Sequence, residues 1–250
     1  MSRFLDSLDF EHEAVTHVQK DDSASNWELL GLELAKEMRY DDSIIAYSNA
    51  IARDPFKGIL YRYRGHRYIS ERRFEEGVAD LSFAARIIPD NWDVWYHLGL
   101  GYYLLGRYED ACKAYEVCYS LSYDNDSKTA ITNWYYVTLK RLGLNDEAAH
   151  VLDGIPDVGY DVDDSEGYYE IVQINKGVVD KDSAFENLKN KEEYLQLLTI
   201  GYGLANSYAF DGNTEKQKEV LEYLTKSLTG SWKYAFGYIA TEVDLKNMKQ

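Results

Sequence analysis

Four constellations in this chain have residue types that could do chemistry. The first is His12–Glu13–Ala14–Val15–Thr16–His17. A helical zinc site of the protease kind needs two histidines at i and i+4 on one face. Here they stand at i+5, about 140° apart around a helix, so no metal site is read there. The second is Asp161–Val162–Asp163–Asp164–Ser165–Glu166. A helix–loop–helix calcium loop takes glycine at its sixth position and glutamate at its twelfth. Those positions hold Glu166 and Val172, so a solvated acidic loop is expected. The third is the pair Gly99-x-Gly101 and Gly201-x-Gly203. Neither follows a strand or carries a third glycine at the right step, so helix packing explains both. The fourth is Cys112 with Cys118, six apart on one helix and roughly 9 Å along its axis. That is too far for a disulfide and fits a reducing compartment. No serine stands in a nucleophile elbow, and the histidines are scattered. The many carboxylates sit mostly at helix starts and outer faces. No catalytic residue, metal site or cofactor is nominated.

The elements that carry these residues are set by a repeat. Gly31, Gly65 and Gly99 are 34 apart, as are Trp27, Tyr61 and Trp95, and Tyr40, Phe74 and Tyr108. Ser43, Gly77 and Ala111 keep the same beat, as do Ala50, Ala84 and Cys118. A period of 34 in this order marks stacked helix–turn–helix units. In the first unit Trp27, Leu30, Gly31 and Leu34 share one face of a first helix. The second helix opens on Tyr40–Asp41–Asp42, with acids at the positive end of its dipole, and Pro55 stops it. Glycine inside a helix costs about 1 kcal/mol against alanine. Three such glycines at one register predict close helix–helix approach, with Ser43, Gly77 and Ala111 as the small facing residues.

This order resembles the tetratricopeptide repeat family across Ala24 to Asn125. The family's first-helix pattern is met by Trp95, Leu98, Gly99 and Tyr102, and its second-helix pattern by Ser43, Tyr47, Ala50 and Pro55. Arg64 departs from it, where leucine is usual, and either snorkels to solvent or finds an acidic partner. The C-terminal part, with Gly201–Tyr202–Gly203 and Ala235–Phe236–Gly237, is loosely similar to uncharacterised bacterial members. The resemblance implies an all-α right-handed superhelical solenoid of about six helix pairs with terminal capping helices. It also implies a non-catalytic protein or peptide interaction scaffold, since solenoids work through extended concave surfaces.

Three regular units cover residues 24–125. Residues 1–23 are either a capping helix or a frayed arm. Residues 126–250 hold degenerate units and a C-terminal capping helix in the same solenoid. A fourth unit uses Trp134 to Pro156 in a slipped register, residues 157–167 form an acidic loop, and a short fifth unit follows. The pattern returns near Gly201, and a last helix is expected to start near Ser231.

Composition narrows the partners. The net charge of −16 repels phosphate backbones and anionic membranes. No run approaches about 18 apolar residues, so no membrane span is expected. A start with neither apolar segment nor lipid-attachment cysteine reads as cytoplasmic. Tyrosine is the unusual count, 23 of 250. It fills repeat positions that accept aromatics, and it also suits low-entropy peptide contacts.

In this family the first helices line the groove. The candidate partner-binding residues are then Arg62 and His66, Tyr96 and Tyr103, Asn133, and Tyr202 with Asn206. Ile69, Leu100, Val137 and Lys140 lie in the same row, with His97 at its border. The second unit is a basic island (Arg62, Arg64, Arg67, Arg72, Arg73 and Arg86), and guanidinium forks suit carboxylates. The other reading is that these arginines pair with Glu71, Glu75, Glu76 and Asp80. Some family members clamp a terminal carboxylate with lysine, asparagine and arginine. Glu28 and Leu32 exclude that arrangement in the first unit, and Arg62, His66 and His97 match its places only in part. The alternatives to a groove-binding scaffold are a self-associating subunit and, further off, an enzyme or small-ligand binder.

Overall fold

A computed structural model describes residues 4–5, 8, 13–190, 193–227 and 230–249. Every regular element among them is helical. The chain forms two compact units, Met1–Gly101 and Tyr102–Gln250.

The first unit holds α1 (Glu13–Lys20), α2 (Ala24–Lys36), α3 (Tyr40–Arg53), α4 (Gly58–Ser70), α5 (Phe74–Ile87) and α6 (Trp92–Leu104). The last residues of α6, from Tyr102, belong to the second unit. First helices begin at residues 24, 58 and 92, so the 34-residue beat of the sequence is the beat of the helices. The side chain of Ser23 caps α2 by accepting from the Asn26 amide at 3.4 Å. The small residues face one another as expected. The Ser43 hydroxyl donates to the Gly31 carbonyl at 2.7 Å. A Cβ at Gly65 would stand 3.2 Å from the Gly77 carbonyl, and one at Gly77 3.1 Å from the Gly65 carbonyl. Larger side chains there would push α4 and α5 apart. In α1, Ala14, Val15 and Val18 join Leu5, Leu8, Trp27, Leu30 and Leu34 in one apolar cluster. Arg64 finds its acidic partner: Nε and Nη2 donate to Asp80 at 2.7 and 2.8 Å, and Nη1 donates to the Ser48 hydroxyl at 2.9 Å.

The second unit continues with α7 (Tyr108–Ser120), α8 (Asn125–Arg141), α9 (Asn145–Asp153), α10 (Glu166–Asn175), α11 (Lys181–Leu188), α12 (Tyr194–Phe210), α13 (Thr214–Ser227), a 3-10 turn (Gly230–Tyr234) and α14 (Phe236–Asn247). The slipped register has a visible cause. Helix α8 has 17 residues, against 13 in each of α2, α4 and α6. It also starts at Asn125, well before the Trp134 read as its beginning. The acidic loop is tied down rather than merely solvated. The Asp126 carboxylate accepts from the backbone amides of Asp163, Asp164 and Ser165 at 3.2, 2.9 and 2.8 Å. The last helix starts later than Ser231. Ala235 is extended (φ −66, ψ 138), which separates the 3-10 turn from α14. Gly237 then brings α14 so near α12 that a Cβ would lie 2.6 Å from the Leu198 carbonyl.

Cys112 and Cys118 are free thiols on α7. Among the described residues no group of three or more metal-ligating side chains occurs, and no helix is long and apolar enough to cross a membrane. His12, half of the histidine pair considered above, lies outside the described residues.

Candidate partner-binding site

The first unit has a concave pocket of about 260 Å³ between α2 and α4, backed by α3. Leu32 and Ala35 come from α2, Tyr47 from α3 and Tyr63 from α4. Lys36, Arg62, His66 and Arg67 bring the polar groups. Helix α4 supplies three of them: Arg62 and His66, at i and i+4, share a face, and Arg67 stands about 100° round the helix from His66. Tyr47 and Tyr63 stack, with ring centroids 5.5 Å apart and planes 23° from parallel. Burial pushes the Tyr47 phenol up to about 12, so it stays neutral.

The cations differ in how they are compensated. Arg62 Nη2 lies 3.1 Å from the Asp93 carboxylate, and its guanidinium stands 5.4 Å from the Tyr63 ring centre. Its Nε is buried without a hydrogen-bond partner. Lys36 pairs with Glu33 at 3.0 Å on the open surface, a contact worth little. Arg67 lies over the Tyr40 ring at 4.4 Å, and among the described residues no carboxylate is within ion-pair distance of it. Burial, with Arg62 beside it, holds its pKa below the usual guanidinium value. A guanidinium half out of water and without a counter-charge favours an anion close by.

Behind these cations the rings pack in a short row. His66 meets His97 at 4.3 Å, and His97 meets Tyr96 edge-on at 5.4 Å. His97 Nδ1–H donates to the Asp93 carbonyl at 2.6 Å, which fixes its tautomer. Burial drives both histidines well below the ordinary imidazole range, and Arg62 and Arg67 add to the effect.

Of the residues expected to line a groove, Arg62 and His66 stand in this pocket. Tyr96 is 6% exposed and supports the histidine pair from behind. Tyr103, Asn133, Tyr202 and Asn206 are at most 3% exposed and lie inside the second unit, so an open-face position for them is corrected. The reason is a buried polar network. Tyr103 and Tyr202 share a hydroxyl–hydroxyl bond at 2.7 Å, and Tyr202 donates to Asp244 at 3.0 Å. Arg141 Nη2 donates to Asn206 at 2.9 Å and to Asp244 at 2.5 Å. Asn133 Oδ1 is buried without a hydrogen-bond partner. Ile69, Leu100 and Val137 are also core residues. The basic island divides: Arg64 pairs with Asp80 and Arg73 with Glu76, while Arg62 reaches Asp93 instead of the nearer glutamates. Tyr47, Tyr63 and Lys36 line the pocket and were not singled out from the sequence. Tyr47 carries only the signal of a repeat core position.

Residues 92–125 match the family model of the tetratricopeptide repeat. The chain is 27% identical over 139 residues to the DnaJ homolog subfamily C member 3 of Gallus gallus. That match covers 56% of this chain and spans 27% of the relative's length. The crystal structure of YrrB, a TPR protein with an unusual peptide-binding site, superimposes with a TM-score of 0.55 at 17% identity, over 96% of this chain and 99% of that one. Pseudomonas aeruginosa pilF gives a TM-score of 0.50 at 15% identity, over 93% of this chain and 85% of that one. At these identities the likeness is one of fold.

Proposed function

We propose that this chain, whose residues 92–125 match the tetratricopeptide repeat model, is a non-catalytic interaction scaffold that holds an acidic segment of a partner protein in the pocket between α2 and α4, since stacked helix pairs work through concave surfaces. Arg67 carries the reading. It is a half-buried cation with no carboxylate at ion-pair distance among the described residues, in a chain whose net charge is −16. Acid is in surplus over the chain as a whole, so a basic, aromatic-walled hollow is a local exception that favours an acidic visitor. Arg62 and Lys36 flank Arg67, while Tyr47 and Tyr63 offer an apolar wall to the stem of the bound side chain. The same surface charge disfavours nucleic acid. Free thiols at Cys112 and Cys118 support a reducing, cytoplasmic setting.

The test is binding of acidic, neutral and basic peptide panels, followed by calorimetry, to the parent and to Arg67→Gln. Arg67 is preferred over Arg62 as the probe because removing Arg62 would strand Asp93. The acidic panel should bind best, weaken with salt, and lose about tenfold or more in the variant. Equal binding by parent and variant would move the site elsewhere. A preference for basic peptides would end the reading.

A further inference from the structure

His66 stands in the wall of this pocket between two arginines, and the fold gives it a role that the arginines cannot take. We propose that the pocket takes up its acidic segment together with a proton, and that His66 holds that proton. This rests on the acidic-segment reading above and adds its regulation.

The surroundings of the His66 ring are specific. From its own helix, Arg62 and Arg67 flank it. From α6, the tilted ring of His97 packs against it at 4.3 Å, and Asp93 is engaged twice, by Arg62 through its carboxylate and by His97 through its carbonyl. From α2, Lys36 lines the same hollow. From α3, Tyr47 is neutral. Helix α5 meets α4 through the close packing of Gly65 and Ile69 and through Asp80, whose charge is paired with Arg64. Burial, and then the positive charge of Arg67 and Arg62 beside it, therefore favour the neutral imidazole of His66.

A carboxylate entering the pocket opposes the charge part of that balance. It brings a negative charge beside the ring, which favours the imidazolium. His97 is a poorer acceptor of the proton because its side chain lies deeper, which outweighs the basicity that the Asp93 carbonyl lends its ring. Protonated His66 then gives the ligand a third charge-assisted donor beside Arg62 and Arg67. The proton comes from solvent, and no covalent bond changes. Linkage makes the effect reciprocal: if the anion raises proton affinity at His66, protons raise affinity for the anion. Binding should tighten as pH falls.

The experiment is calorimetry of the full chain with acetylated hexaglutamate between about pH 7.5 and about pH 5.5. Glutamate stays ionised there, its reference pKa being about 4.3, so the probe itself does not titrate. The expected result is a Kd that falls with pH, approaching about tenfold per unit for one linked proton. His66→Gln cannot hold the proton, so its Kd should be flat across the range whatever its absolute value. That comparison also cancels the change in the chain's overall charge. A second readout is the NMR titration of the His66 ring in the parent, whose midpoint should move upward when the peptide is bound. Binding with a flat profile and an unmoved His66 midpoint would overturn the proton-coupled mechanism and leave the acidic-segment reading standing. A pH response that survives in His66→Gln would overturn it too. No binding at any pH would overturn both.

Discussion

Arg141 and Asp244 are 103 residues apart in sequence and meet in a buried ion pair, Nη2 to Oδ2, at 2.5 Å. The pair ties α8 to α14, and Tyr202 from α12 donates to the same carboxylate. Helix α14 is thus fastened to the second unit by charge as well as by apolar contact. Removing one partner leaves the other charge buried alone. Asp244→Ala should therefore cost about 3–5 kcal/mol, whereas the double change Arg141→Met with Asp244→Leu should cost far less. Urea unfolding of the three proteins checks this. Equal losses in the single and double variants would mean that packing, not the buried charge, dominates.

Arg64 and Asp80 make the corresponding pair in the first unit, at a repeat position where leucine is usual. Burial raises the pKa of Asp80 above 3.8 even though Arg64 pulls it down. A folded pKa above the unfolded one favours folding at low pH, and that contribution is lost as pH rises through the folded value. Arg64→Leu removes the pull, so the Asp80 pKa climbs further. The variant should lose about 3–5 kcal/mol at neutral pH, and the gap from the parent should narrow on acidification towards about pH 5. Paired melting curves across that range measure it. A gap that stays constant would show that Asp80 does not titrate there.

Asp126 organises the acidic loop with its own carboxylate. Its slight burial works against ionisation, but three backbone amides and the Ser165 hydroxyl outweigh it and hold the pKa below 3.8. Here the sign is the reverse of Asp80: stability is present above the unfolded value and lost as pH falls through the lower, folded one. The residue is only partly buried, so the whole-protein effect should be small. Asp126→Ala should instead speed hydrogen exchange locally, by about tenfold or more at the amides of residues 163–165. Unchanged exchange would show that the loop is held by other contacts.

How far the sequence could be read follows from the distance over which each feature is determined. The register of α2 to α6 is local and repeated, so Gly31, Ser43, Gly65 and Gly77 announced their contacts at a spacing of 34. Arg62 and His66 followed from that same register. Tyr103 and Tyr202 did not, because their burial depends on α12 and α14 returning to α8, and no periodic signal links residues 99 positions apart. A groove-facing position in a repeat predicts which way a side chain points from its helix. It does not predict what the rest of the chain will lay over it. Tyr63 was missed for a related reason: its value to the pocket lies in stacking on Tyr47 from a different helix.

The turns between paired helices give a test that depends on no partner. Met38, Arg72 and Gly106 occupy one repeat position, 34 apart, and all three have positive φ: 59, 61 and 72 degrees. For a residue with a Cβ this left-handed conformation costs roughly 1–2 kcal/mol. Glycine avoids that strain but surrenders about 0.5–1 kcal/mol of chain entropy on folding. Met38 is 44% exposed, so little packing is lost when its side chain is removed. Met38→Gly should therefore stabilise the protein by about 0.5–1 kcal/mol. Gly106→Ala runs the argument backwards. A Cβ at Gly106 would meet nothing within 4 Å, so any loss there is backbone strain alone. It should cost about 1 kcal/mol. Urea midpoints with unchanged slopes would confirm both signs. A destabilised Met38→Gly would mean that the side chain contributes more to the α2–α3 turn than its exposure suggests, and would remove strain as the feature shared by these positions.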